Sequence, residues 1–123
     1  MLNREQRYGR AAETLAADHL RQMGYTILER NYRTAVGEID LIARVDGILV
    51  FVEVKSRWTR RRGDPKYALS PAKQRKISMT ALTYLKQHRL SMARARFDVV
   101  TVQQEHEHTR IEVIPNAFEL AYT

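Results

Sequence analysis

A chain of 123 residues, 44% of them hydrophobic, suits one packed domain over residues 1–123 and is too apolar for a disordered polymer. It has no cysteine, which excludes disulfides and thiolate metal sites, and no apolar run near the roughly 20 residues that span a bilayer. The net charge is +7, and residues 57–76 alone carry that excess while the rest of the chain balances.

The N-terminus, MLNREQRYGR, is polar and lacks the apolar centre of a signal peptide, so a cytoplasmic location without membrane attachment is expected. Asn3 is placed to cap a helix running to about Met23. Its apolar stripe is Ala12, Leu15, Ala16, Leu20 and Met23, spaced three or four apart. Gly24 supplies the left-handed stop. Residues 25–33 read as a strand. Two runs rich in β-branched residues then flank Asp46-Gly47, a strong hairpin signal because a type I′ turn needs positive φ at both central residues. The second run, Ile48 to Val54, is nearly all apolar, as in a strand buried on both faces.

The basic segment follows, with Arg57, Arg60, Arg61, Arg62 and Lys66. Such a focus of charge attracts phosphate backbones, and Trp58 and Tyr67 within it are suited to stacking on bases. The bland alternative is a solvated loop. Ser70-Pro71 opens a second helix, reaching about His88, with Ile77, Ala81, Leu82 and Leu85 as its buried stripe. Lys73 lies one turn in, near the positive dipole end, where it faces a phosphate or covers the helix surface. Residues 97–102 and 111–114 are two further strands. The order α-β-β-β-α-β-β is that of an α/β or α+β domain. Asp98 reads as a structural partner for an arginine, and His106 and His108 as part of a polar turn rather than a metal site.

The hairpin makes a geometric prediction. A two-residue turn pairs Val45 with Ile48, so Asp40 falls opposite Glu53, and Glu38 opposite Lys55. Residues at i and i+2 share a face, which gathers these groups on one side. Two carboxylates facing each other amid apolar residues repel, and a cation between them removes that cost. Oxygen ligands of this kind suit Mg²⁺ or Mn²⁺, with the Val54 carbonyl a further candidate ligand beside Asp40 and Glu53. Lys55 is placed to orient or deprotonate a water, or to offset charge in a phosphoryl transition state. The alternative is an ordinary Glu38–Lys55 cross-strand pair with Asp40 and Glu53 facing solvent.

Asp40-x12-Glu53-x-Lys55 resembles the PD-(D/E)xK nuclease pattern, with Ile39 where the motif's name has proline. More narrowly, the chain is similar to the YraN-type family of predicted endonucleases, distantly related to archaeal Holliday junction resolvases. The shared elements are Gly9, Ala12-Glu13, Gly24-Tyr25, Arg30-Asn31-Tyr32-Arg33, Gly37 to Ala43, Phe51 to Arg57, Lys73, Arg96 to Val100 and Ala117-Phe118. The resemblance implies a restriction-endonuclease-like fold, a central mixed sheet flanked by helices. It implies metal ligation by Asp40 and Glu53, catalysis by Lys55, and a further acidic role for Glu13. Arg57, next on the same strand face, contacts the scissile phosphate or is a plain surface arginine. The expected activity is Mg²⁺-dependent hydrolysis of DNA, including branched DNA, and a resolvase-like role favours a symmetric dimer. The competing expectations are a non-catalytic nucleic-acid-binding module on the same fold, and a scaffold whose basic loop meets an acidic partner.

Overall fold

In a computed structural model that describes residues 3–57, 69–105 and 107–120, the elements run α1 (Arg4–Gln22), β1 (Thr26–Arg33), β2 (Glu38–Val45), β3 (Ile48–Arg57), α2 (Pro71–Gln87), β4 (Ala95–Glu105) and β5 (His108–Phe118). Trp58, Arg60, Arg61, Arg62, Lys66, Tyr67 and His106 lie outside the described residues, as does the Arg57 side chain.

Both helices start as their caps dictate. The Asn3 side chain accepts from the Gln6 N–H, and Gln6 reaches back to the Asn3 N–H, closing a capping box. Ser70 accepts from the Lys73 N–H with Pro71 at the first helical position. Gly24 ends α1 with φ +97°.

The five strands lie in sequence order in one sheet, antiparallel except for the β3–β4 pair. The parallel step requires a crossover, which α2 provides. Alternate residues of β3 serve opposite faces. Val50 and Val52 pack with Ala12, Ala16, Ala17 and Leu20 of α1, whereas Leu49 and Phe51 pack with Ile77, Ala81 and Tyr84 of α2. A strand buried on both sides explains the unbroken apolar run 48–54. This is the mixed sheet flanked by helices that the resemblance implied. No helix among the described residues is long and apolar enough to cross a membrane.

Three expectations need correction. Leu15 and Met23 are 38% and 50% exposed, and Ala17 takes their place against the sheet. The buried stripe of α1 is mostly alanine, so the helix lies close to the strands and its larger apolar residues fall to the margin. On α2, Leu82 and Leu85 are half-buried, whereas Tyr84 is buried and sets its ring edge-on to Tyr32 and Phe51. Strands β4 and β5 run well past the apolar cores expected for them, because their ladder continues through polar pairs such as Gln103–Arg110 and Gln104–Thr109.

Asp98 is structural, as expected. It is 1% exposed, and both its oxygens lie 3.1–3.3 Å from Arg96 Nε, while the Asn116 N–H donates to Oδ1 at 3.1 Å. Asn116 itself has φ +53°, so this bond anchors a bend in β5. Asp98→Ala leaves the Asn116 N–H and a half-buried guanidinium without their acceptor. It is expected to cost about 2–4 kcal/mol, read as a lower denaturation midpoint at unchanged m-value.

Candidate functional site

The hairpin forms in the expected register. Asp46 and Gly47 have φ +50° and +75°, and the ladder runs from Val45–Ile48 to Leu41–Val52. It ends there. At the next position the Asp40 side chain takes over, with Oδ2 accepting the Val54 N–H at 2.8 Å. The Asp40 and Glu53 carboxyl groups hydrogen-bond to each other, so the two acids meet as the register predicted. Glu38 and Lys55 both lie beyond the end of this ladder. Glu38 pairs with Arg33 across β1, its Oε2 lying 3.4 Å from Arg33 Nε. Asp40 thus caps the end of the ladder with a side-chain bond.

A break in side-chain alternation creates this geometry. Ile39 belongs to the core under α2 and Leu41 to the core under α1, although residues two apart on a regular strand share a face. On β1, Asn31 lies between the pairs Arg30–Leu41 and Tyr32–Ile39, level with Asp40, and has φ +53°. Asparagine tolerates that left-handed conformation better than most residues. Tyr32 enters the α2-side core, while Arg30 reaches α1 and donates to Thr14 Oγ1 at 3.0 Å. The kink thus frees Asp40 from either face and puts it in the seam between α1 and α2.

Glu13 approaches that seam from α1. Burial and the nearby Asp40 carboxylate push its pKa up, a hydrogen bond from the Asn31 side chain lowers it, Glu38 raises it and Arg30 lowers it. Its Oε1 is buried without a hydrogen-bond partner among the described residues. Asn31 was not singled out by sequence reasoning as a site residue; the available signal was a residue tolerant of positive φ inside a strand. Two substitutions separate its roles. Asn31→Gly keeps the backbone and loses the Glu13 bond, whereas Asn31→Ala loses both. Asn31→Ala is expected to melt lower than Asn31→Gly, by about 1 kcal/mol in unfolding free energy.

From α2, Lys73 Nζ lies 3.4 Å from Glu53 Oε2, so this lysine faces the site. Glu53 is only 8% exposed. A cavity of about 430 Å³ opens here, with Glu38, Asp40 and Glu53 on one side and Ser70, Lys73 and Lys76 on the other. Gly37 lines it too, and allows α2 to come close. A Cβ there would sit 2.9 Å from Thr80 Oγ1, which is held by its own bond to the Lys76 carbonyl at 2.7 Å.

The Asp40 pKa is pushed up to about 8, mainly by burial, then by the hydrogen bond and charge of Glu53. The Val54 N–H opposes the shift and Glu38 adds to it. Lys55 follows Glu53 on the same face of β3 and is half-buried. The donor set fits a hard divalent cation in kind: oxygen ligands only, a carboxylate pair in contact, and an orphaned buried oxygen on Glu13. The fit is a pair rather than a closed cage. Among the described residues no group of three or more His, Cys, Asp or Glu is close enough to hold a metal, and His108 joins none.

The model of the uncharacterised protein family UPF0102 matches residues 12–102. The chain belongs to this family. The matched stretch of the UPF0102 chain runs from Ala12 in α1 to Val102 in β4, and so contains Glu13, Asn31, Asp40, Glu53, Lys55 and Lys73. A UPF0102 protein of Syntrophus aciditrophicus is 52% identical over 94% of this chain and 91% of its own length. One from Desulforapulum autotrophicum is 50% identical over 97% of this chain and 98% of its own. Among solved structures, that of Pyrococcus furiosus SfsA in complex with Ca²⁺ aligns with 88% of this UPF0102 chain and 61% of the SfsA chain. The sequences are 15% identical and the TM-score is 0.42.

Proposed function

We propose that this protein is a metal-dependent endonuclease that hydrolyses phosphodiester bonds in DNA, branched DNA included. The observation that carries the reading is the carboxylate pair of half-buried Asp40 and buried Glu53, held together at the seam of the sheet with Lys55 two residues on. Nothing in the fold requires two acids to meet there. Without a cation or a shared proton they repel, so the arrangement costs stability and calls for a role.

Asp40 and Glu53 would hold Mg²⁺ or Mn²⁺, with the Val54 carbonyl as a third oxygen and Glu13 facing the same seam. A cation there supplies polarisation of the phosphate and a water made more acidic. Val54 fixes the Asp40 carboxylate through its N–H, so the ligand is oriented before substrate arrives. Lys55 orients the attacking water or balances charge on the phosphoryl group. Described cations that favour a polyanion include Lys73 and Lys76 at the cavity and Arg30 and Arg33 on β1, with the basic segment 57–66 continuing β3 in sequence.

Cleavage of duplex, single-stranded and four-way DNA, with Mg²⁺ and with Mn²⁺, tests the proposal. The expected result is cleavage that needs the metal and is lost in Glu53→Ala. Cleavage that persists unchanged in that variant would sink it. A second reading, a nucleic-acid-binding module without turnover, is favoured by the lack of a three-ligand cluster among the described residues. It predicts salt-dependent DNA binding with no product under any metal.

A further inference from the structure

Lys73 sits where helix electrostatics disfavour it. Counted from the Ser70 cap it is the third residue of α2, and the first turn has no acidic residue to offset it. The N-terminal end of a helix carries partial positive charge, so an ammonium there is repelled. After a serine cap, this position favours Glu or Gln, which close a capping box. A residue at odds with its local setting is answering to something else in the structure.

Here that something is Glu53. Lys73 Nζ lies 3.4 Å from Glu53 Oε2, with the lysine side chain 53% exposed and the glutamate side chain 10% exposed. Glu53 is in turn hydrogen-bonded to Asp40. The ammonium therefore stands beside the carboxylate pair, where a cation is needed. Ser70 and Lys76 line the same cavity on the α2 side, so its two walls carry opposite charge. A single cation or a single anion fits only half of such a cavity. A divalent cation together with a phosphate fits both.

We propose that Lys73 is a positioning residue that exchanges partners. It holds Glu53 while the carboxylates lack metal, and moves to a phosphate oxygen of the substrate once they hold one. The inference rests on the metal-dependent reading above and deepens it. A divalent ion bonded to Glu53 sets positive charge against the ammonium and removes its partner. The half-exposed stem, with four rotatable bonds, lets the head group swing within the cavity. There a phosphate would be shared with Lys76 and with the N-terminal end of α2 at Ser70, both of which line the cavity. Lys73 thus keeps the carboxylates apart from stray partners before metal arrives, and links metal loading to substrate binding.

The test is Mn²⁺ titration by calorimetry on the full chain without DNA, for wild type, Lys73→Met and Lys73→Gln. Removing the competitor is expected to tighten Mn²⁺ binding by about threefold to fivefold at low salt, the worth of a half-exposed ion pair. In a Glu53→Gln background the same change is expected to have no effect on Mn²⁺, because the contact is already gone. With DNA present, Lys73→Met is expected to raise KM more than it lowers kcat. Lys73→Gln serves if the Met variant does not fold. Mn²⁺ binding by wild type with no tightening in either neutral variant overturns the exchange and leaves the nuclease reading standing. Absence of Mn²⁺ binding by wild type overturns both.

Discussion

In the absence of divalent metal, the folded protein is expected to lose stability as pH rises from about 5 to above 8, and Asp40→Asn is expected to remove most of that slope. The Asp40 carboxyl, ordinarily near 3.8, is raised to about 8 by burial and by its hydrogen bond with Glu53. A raised carboxyl binds its proton more tightly in the folded state than in the unfolded chain. Its contribution is therefore complete below the unfolded value and is lost as pH climbs through the folded one. Between these limits the effect is on the order of a few kcal/mol, enough to move the melting temperature by several degrees in a domain of this size. Asparagine mimics the protonated acid: its amide can donate to Glu53, and its carbonyl can accept the Val54 N–H. Asp40→Asn should thus melt higher than wild type at pH 8.5 and near it at pH 5. Mg²⁺ at a hundredfold excess over its dissociation constant should return about 2.7 kcal/mol to wild type at high pH, and little to the variant. Thermal melts at several pH values, with Mg²⁺ and with EDTA, measure all of this. A wild-type slope that survives unchanged in Asp40→Asn would place its origin elsewhere.

The second large effect concerns turnover. Glu53→Gln and Lys55→Ala are each expected to lower kcat/KM for DNA cleavage by about 10²-fold or more, the usual scale for loss of one group that stabilises developing charge. They should differ in everything else. Glu53→Gln removes one of two repelling carboxylates, so metal-free stability at pH 8 should hold or rise while metal affinity falls. Lys55→Ala should leave metal-induced stabilisation in place, because that lysine is not a ligand. Stability gained as activity is lost marks a functional site, since a structural ion pair loses both together. Single-turnover cleavage beside thermal melts separates the two cases. A Glu53→Gln variant that is less stable, binds metal normally and still cleaves would return Glu53 to a structural role.

Much of this site could be read from the chain because its causes are local. Asp46-Gly47 accepts positive φ at both positions, which sets a two-residue turn and with it the register that brings Asp40 to Glu53. Asn3 with Gln6, and Ser70 with Pro71, set the helix starts by side-chain bonds spanning three residues. The apolar run 48–54 marks a strand covered on both faces. Each of these follows from neighbours within a few positions, so no knowledge of the packing was needed.

What only the tertiary structure decided is how the two faces meet. The left-handed kink at Asn31 and the shift in alternation at Asp40 depend on β1 pairing with β2 and on both helices claiming the strand between them. The contact of Glu38 with Arg33 across β1 likewise depends on that pairing of strands. Lys73 meets Glu53 only because Gly37 lets α2 settle against the start of β2, an approach between residues far apart in sequence. The same holds for Leu15 and Met23, whose exposure reflects the close seat of an alanine-faced helix on the sheet. Local chemistry in the sequence determined the carboxylate pair and its register. The packing of two helices on one sheet decided which cations and which third acid surround it.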